Sequence, residues 1–318
     1  MTWEYSGARV IVTGGAGFIG SYLCEALIEL GSDVVSVDNY LTGQAANLDA
    51  LAGHTGFRSL AHDITSPFLL ETAAIFNLAC PASPIWYQRD PVQTMRVNIL
   101  GSLNVLELAR QNNARVLQAS TSEVYGDPLS HPQAEGYWGN VNPIGVRACY
   151  NEGKRGAETL FFDYRRTHGI AVKVARIFNT YGPRMLPGDG RVVSTFIVQA
   201  LRGDAITLFG DGQQTRSFAY VTDVVEALVR LQATPVEVTG PINIGNPDEV
   251  TMRELAERIL ALTGSRSKIE LIKLPPDDPR QRQPDITLAK KTLDWAPLVA
   301  LDDGLRETIA YFRKIVGS

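Results

Sequence analysis

Tyr150 and Lys154 stand four residues apart in Tyr150-Asn-Glu-Gly-Lys154, a spacing that puts a phenol and an ammonium on one helical face. A free tyrosine titrates at about pH 10, too high for a base at neutral pH. A nearby ammonium favours the phenolate, so the pair can take a hydroxyl proton while hydride leaves the same carbon. Such a reaction also needs an orienting hydroxyl. Thr121 supplies one in Ser120-Thr-Ser-Glu-Val-Tyr-Gly126, just past the apolar run Arg115–Ala119. The same stretch carries Glu123, a carboxylate that hydride transfer does not require and that would be costly to desolvate. It has a use if a proton must also move at a neighbouring carbon.

A second candidate site lies near the N-terminus. Thr13-Gly-Gly-Ala-Gly-Phe-Ile-Gly20 spaces Gly14, Gly17 and Gly20 as G-x-x-G-x-x-G between an apolar run and a helical pattern. The first glycine allows a tight turn, the second lets backbone approach a pyrophosphate, and the third permits close helix–sheet packing. The helix start then offers unpaired N–H groups to phosphates. Asp38 ends the next apolar run, where an acid can accept hydrogen bonds from the adenosine ribose. No Lys or Arg occurs between Arg9 and Arg58, so nothing nearby would welcome a 2′-phosphate. The dinucleotide is therefore expected to be NAD rather than NADP. His62-Asp63-Ile64 would reach the adenine, with helix capping an equal alternative for Asp63.

Holding these groups together requires a sheet whose strands all end on one side. β-rich runs occur at Ala8–Thr13, Asp33–Asp38, Gly56–Ala61, Ala74–Ala79, Arg115–Ser120 and Ala171–Phe178. Helical spacing fills Phe18–Leu30, Val92–Asn112 and Ala148–His168 between them. That alternation predicts an α/β fold with a Rossmann-type doubly wound parallel sheet. After Tyr181 the elements become shorter and less regular, as in a smaller C-terminal α/β substrate-binding domain. The expected division gives residues 1–178, with roughly 216–240 returning, to the dinucleotide-binding domain. Residues 179–215 and 241–318 form the other. Leu274-Pro-Pro-Asp-Asp-Pro-Arg-Gln-Arg-Gln-Pro284 is a proline-rich connection of the length that often carries function.

Composition narrows the classes. With 318 residues, 45% of them hydrophobic, the chain can bury one large or two coupled cores, and a net charge of −4 offers no footprint for nucleic acid. The start MTWEYSGARVIVTGG has neither a basic n-region nor a long apolar stretch, so no signal peptide or membrane span is expected. Cys24, Cys80 and Cys149 form no C-x-x-C pair, which fits reduced thiols in the cytoplasm. The four histidines lack metal-ligand spacing, so no metal is expected.

Taken together, these features resemble the extended short-chain dehydrogenase/reductase family, whose members act on nucleotide sugars. Ala79-Cys-Pro-Ala-Ser-Pro84, Ser120–Gly126, Tyr137-Trp-Gly-Asn-Val-Asn-Pro-Ile-Gly145, Arg147-Ala-Cys-Tyr-Asn-Glu-Gly-Lys-Arg155 and Ala175-Arg-Ile-Phe-Asn-Thr-Tyr-Gly-Pro-Arg-Met185 narrow it. With Asp189–Ser194, Gln214–Phe218 and Arg282–Ile286, they are similar to the UDP-glucuronate decarboxylase (UDP-xylose synthase) branch over nearly the whole chain. Ile85-Trp86 and Gln44-Ala45-Ala46 depart from that pattern, where relatives often carry histidine and basic residues.

The resemblance implies NAD, UDP-glucuronate as substrate, and a homodimer built on the Val92–Asn112 and Ala148–His168 helices. Oxidation at carbon 4 would turn the sugar carboxylate into a β-keto acid that loses carbon dioxide. Carbon 5 would then gain a proton and carbon 4 be reduced again. The catalytic set implied is Thr121, Ser122, Glu123, Tyr150, Lys154 and Arg282, with Glu123 handling water or protons near carbon 5. Cofactor contacts implied are Gly14, Gly17, Phe18, Ile19, Gly20, Asp38, Asn39, Leu41, Thr42, Asp63, Ile64, Leu78, Ala79, Tyr150 and Lys154. Tyr87, Asn179, Arg191, Val192, Arg216 and Arg282 are expected on the substrate, a planar guanidinium fork suiting phosphate oxygens. Family dehydratases place Asp-Glu where Ser122-Glu123 stands, and 4-epimerases typically place no carboxylate there. A UDP-glucuronate 4-epimerase, another 4-keto-sugar enzyme and a dinucleotide sensor without chemistry remain the competing readings.

Overall fold

The computed structural model describes residues 3–273 and 281–316, so the Leu274–Arg280 part of the proline-rich connection lies outside the described residues. Strands β1 (Arg9–Thr13), β2 (Asp33–Asp38), β3 (Phe57–Ala61), β4 (Ala74–Asn77), β5 (Arg115–Thr121) and β6 (Val172–Ile177) form one parallel sheet. A seventh strand, Ile242–Ile244, pairs with β6, and the order is Ile242–Ile244, β6, β5, β4, β1, β2, β3. Val10, Ile11, Val12, Ile75, Phe76, Val116 and Leu117 are wholly buried. Helices cover both faces, which is why these strands read as continuous apolar runs. Strand order reverses between β1 and β4, so a crevice opens beyond their carboxyl ends, the usual ligand position in such a sheet.

Helices α1 (Phe18–Glu29) and α5 (Ala148–His168) match the periodicity closely. The Val92–Asn112 stretch does not form one regular helix. It divides into α3 (Pro91–Arg96), a π-helical turn at Val97–Gly101 and α4 (Ser102–Asn112), with α2 (Pro84–Arg89) before them. Asn98 Nδ2 donates to the Thr94 carbonyl at 3.0 Å and to Cys80 Sγ at 3.3 Å. A side chain that engages the backbone carbonyl disturbs the regular ladder. Strand β4 also stops at Asn77, short of Ala79, because Leu78 and Ala79 bend over the Gly14 turn.

The remaining elements surround the crevice mouth. Helix α6 (Val192–Arg202) precedes Ile206–Phe209, which pairs with Ile269–Ile272, while Thr215–Ser217 pairs with Glu249–Thr251. Helix α7 (Val221–Ala233) packs back on α1. Beyond α7, Ile242–Ile244 adds an edge strand to the main sheet. Only three residues long and preceded by Gly240-Pro241, that strand is too short for a period to show. Among the described residues, no helix is long and apolar enough to cross a membrane.

Candidate active site

A cleft of about 840 Å³ runs along the carboxyl ends of the sheet and out between α1 and the later elements. Its inner end is shaped for a dinucleotide. Gly14 turns with φ +71°, and a Cβ there would press on Ala79 at 2.9 Å. A Cβ on Gly20 would be driven into the Gly14 carbonyl. Gly17 has no such burial around it. Its added Cβ would meet only the Gly14 carbonyl oxygen, at 3.1 Å, and would otherwise project into the cleft that a phosphate needs. Helix α1 has no side-chain cap and no acid in its first turn, so its first N–H groups are left for an anion.

At the end of β2, Asp38 Oδ2 accepts from Ala16 N at 3.0 Å and Oδ1 from Tyr40 N at 2.8 Å. Each oxygen keeps a lone pair for a ribose hydroxyl. Burial raises this carboxyl above its ordinary value, against those two backbone bonds. The helix-capping alternative for Asp63 is not met, because no helix begins there. Its carboxylate closes a turn on Thr65 N and Oγ1, at 2.9 and 2.8 Å, while it lines the cleft beside Ile64. Asn39 Nδ2 ties it to β2 at 3.0 Å. Phe18, Ile19, Leu41, Thr42, Leu78 and Ala79 complete this bay. NAD is expected to bind at least about 10-fold more tightly than NADP, because the 2′-phosphate would face Asp38, on which no cation acts among the described residues. Calorimetry at one salt concentration checks this, and equal affinities would overturn it.

The reacting groups lie where β5 meets α5. Tyr150 and Lys154 are 6% and 4% exposed, and Lys154 Nζ sits 5.9 Å from the Tyr150 ring centre. Nζ donates to the Ala119 carbonyl at 2.8 Å, which fixes the ammonium against β5. Tyr150 is hydrogen-bonded to Thr121, whose Oγ1 also accepts from Glu123 N at 3.2 Å. Burial, then the nearby Cys80 and Glu123, push the Tyr150 phenol up, and the Thr121 bond pulls it down. Burial lowers Lys154, opposed by Cys80 and Glu158. Without a ligand the phenol therefore keeps its proton.

Glu123 lies in a short 3-10 turn (Ser122–Tyr125) directly after β5 and is 7% exposed. Its Oε1 accepts from Arg147 Nη2 at 2.5 Å and from Arg282 Nη2 at 2.8 Å. Its Oε2 is buried with no hydrogen-bond partner among the described residues. Burial alone would raise this carboxyl, but Arg282 and Arg147 outweigh it and hold Glu123 below the usual carboxylate range. The group is an ionised acceptor at neutral pH. It is not a stored proton.

Arg282 Nη1 also reaches Asn179 Oδ1 at 3.3 Å, and Arg216 lines the same wall with Ser122. Arg191 forks onto Asp189, with Nε to Oδ2 at 2.7 Å, and lies 5.4 Å over the Phe18 ring, next to Val192 at the start of α6. Tyr87, expected at the substrate, is only 1% exposed. Its ring stacks on Tyr150 at 5.0 Å and 6°, so it backs the phenol from behind. The other expected residues share the one cleft.

Arg147 escaped the sequence reading, as did Asp189. A signal for Arg147 existed. It occupies the N-cap of α5, where a cation opposes the helix dipole and needs an anion close by. No local pattern marks Asp189, whose role depends on Arg191 folding back over it.

The family model described as the NAD dependent epimerase/dehydratase family matches residues 10–245. UDP-glucuronic acid decarboxylase 5 of Arabidopsis thaliana is 57% identical over 301 residues, 94% of this chain and 88% of that protein. UDP-glucuronic acid decarboxylase 1 of Danio rerio is 50% identical, covering 96% and 73% respectively. Among solved structures, UDP-glucose 4-epimerase of Thermotoga maritima with UDP-glucose superposes with a TM-score of 0.88 at 31% identity, over 97% of this chain and 99% of that one. The UDP-glucuronic acid 4-epimerase of Bacillus cereus, in complex with UDP-glucuronic acid and NAD, gives 0.86 at 28%, over 96% and 99%. With its glycine cradle, Asp38 and the Tyr150–Lys154 pair in one cleft, the chain belongs to the NAD dependent epimerase/dehydratase family.

Proposed function

We propose that this chain is an NAD-dependent UDP-glucuronate decarboxylase that makes UDP-xylose. The observation that carries the reading is Glu123, held ionised by Arg147 and Arg282 beside Tyr150 and Thr121. A simple alcohol oxidation has no use for that buried carboxylate, whereas proton movement at the carbon next to the oxidised one does. Identity of 50–57% to decarboxylases, against 28–31% to the 4-epimerase structures, points the same way.

The glycine cradle and Asp38 would hold NAD, and Tyr150 with Lys154 lines the same cleft. The bound cofactor would supply a reversible hydride acceptor and a positive charge that favours the phenolate. Tyr150 takes the carbon 4 hydroxyl proton. Once carbon 4 is a ketone, the bond to the carboxylate can break, because its electrons delocalise onto the ketone oxygen. Thr121 and Tyr150 hydroxyls donate to that enolate oxygen. Glu123, as an acceptor, orients a water that gives one proton to carbon 5, the hydroxide left behind combining with the released carbon dioxide as bicarbonate, and Arg282 places the sugar. Arg191 and Arg216 meet the diphosphate. Residues 179–215 and 241–318, apart from the edge strand Ile242–Ile244, form the substrate-binding domain. The protein pairs through the helices around α4 and α5 and works in the cytoplasm.

Incubating the protein with UDP-glucuronate and NAD and weighing the products by mass spectrometry tests the reading. A nucleotide sugar lighter by one carbon dioxide is expected. A product of unchanged mass, the 4-epimer, would overturn it.

A further inference from the structure

Arg282 is carried on residues 281–286, a segment with no helix or strand of its own, yet its guanidinium meets Glu123 within hydrogen-bonding distance. Gln133, 1% exposed, is what holds the segment. Its N–H donates to the Gln283 carbonyl and its carbonyl accepts from Asp285 N, both at 2.9 Å. Its side-chain Oε1 accepts from Gln283 N at 2.8 Å, while Nε2 donates to Ser130 O at 2.8 Å.

Asn243, fully buried on the edge strand, completes the connection. Its Nδ2 donates to Gln133 O at 2.9 Å and to Asp285 O at 3.1 Å, and its Oδ1 accepts from the Tyr125 hydroxyl at 2.7 Å. Tyr125 closes the same short turn that carries Glu123. The two halves of the Glu123–Arg282 pair are thus tied to each other through residues that are themselves buried away from the cleft.

We propose that Gln133 and Asn243 are positioning residues that set the Arg282–Glu123 contact and, through it, the rate of the chemistry. The proposal rests on the decarboxylase reading. Without Oε1 of Gln133, the Gln283 N–H loses its acceptor and the loop can shift. Displacement of a reacting group by about 1 Å costs up to about 10²-fold in rate.

The test is a double-mutant cycle between Gln133→Met, which keeps the size but neither hydrogen bond, and Arg282→Ala. Gln133→Met alone is expected to slow carbon dioxide release by about 10- to 10²-fold. It should move the acid limb of the pH profile upward, because Glu123 loses part of one cationic partner. In the Arg282→Ala background, Gln133→Met should cost almost nothing more. If the two losses multiply, Gln133 acts on the fold in general and the proposal is wrong. Should Gln133→Met not fold, Asn243→Ser enters the same cycle, and multiplied losses there overturn the proposal equally. A wild type that releases no carbon dioxide would refute the functional reading instead, so the two failures are distinguishable.

Discussion

Tyr150→Phe is expected to slow carbon 4 oxidation by about 10²-fold or more, the usual worth of a positioned acid or base. Only one hydroxyl is lost, and the ring would still stack on Tyr87 at the 5.0 Å spacing. The fold and the glycine cradle should therefore survive, and NAD should still bind. The remaining candidates cannot easily replace the phenol. Thr121 is an ordinary alcohol and far too weak a base, and Lys154 is committed to the Ala119 carbonyl. Transient NADH absorbance after mixing with UDP-glucuronate reads this step directly. A near-normal signal in the variant would assign the base to another group.

Glu123→Gln should separate the two halves of the reaction. Glutamine keeps the size of the side chain and can hydrogen-bond, but it neither accepts nor gives up a proton at neutral pH. NADH should still form, while protonation at carbon 5 slows by about 10²-fold. In deuterated water the wild-type product should carry one deuterium at carbon 5. The substitution also leaves Arg147 and Arg282 facing a neutral amide, and removing one partner of a buried ion pair costs about 3–5 kcal/mol. The melting temperature should fall with it. The deciding quantity is the ratio of the two steps in a single turnover, so a general loss of stability does not imitate the effect. Equal slowing of both steps, or of neither, would make Glu123 a positioning residue.

The two arginines also fix the sign of the pH dependence. A lowered carboxyl pKa moves loss of the anion to more acidic pH, below the ordinary glutamate value of about 4.3. The wild-type carbon 5 step should show no carboxylate limb between about pH 5 and 8. A limb inside that window would mean that the arginines do not hold the group as the geometry requires.

Much of this protein is local in origin and so can be read along the chain. The glycine turn, Asp38 at the end of β2 and the Tyr150–Lys154 spacing each follow from a few adjacent residues and one helical or strand period. Strand–helix alternation likewise implies the parallel sheet, because parallel strands need crossovers that return the chain to the same edge. Glu123 could be singled out as chemically unnecessary for hydride transfer, from its place just past β5. Its state could not. The charge on Glu123 is decided by Arg147 and Arg282, 24 and 159 residues away, and by a burial that only the assembled walls produce. Tyr87 shows the same limit, since a tyrosine three residues past the Ala79–Pro84 motif could face the substrate or the phenol, and packing against α5 chose the phenol. The short strand Ile242–Ile244 and the Gln133–Asn243 ties have no period at all. They exist because buried backbone groups and amides must find partners, and which partners are within reach is a property of the tertiary structure.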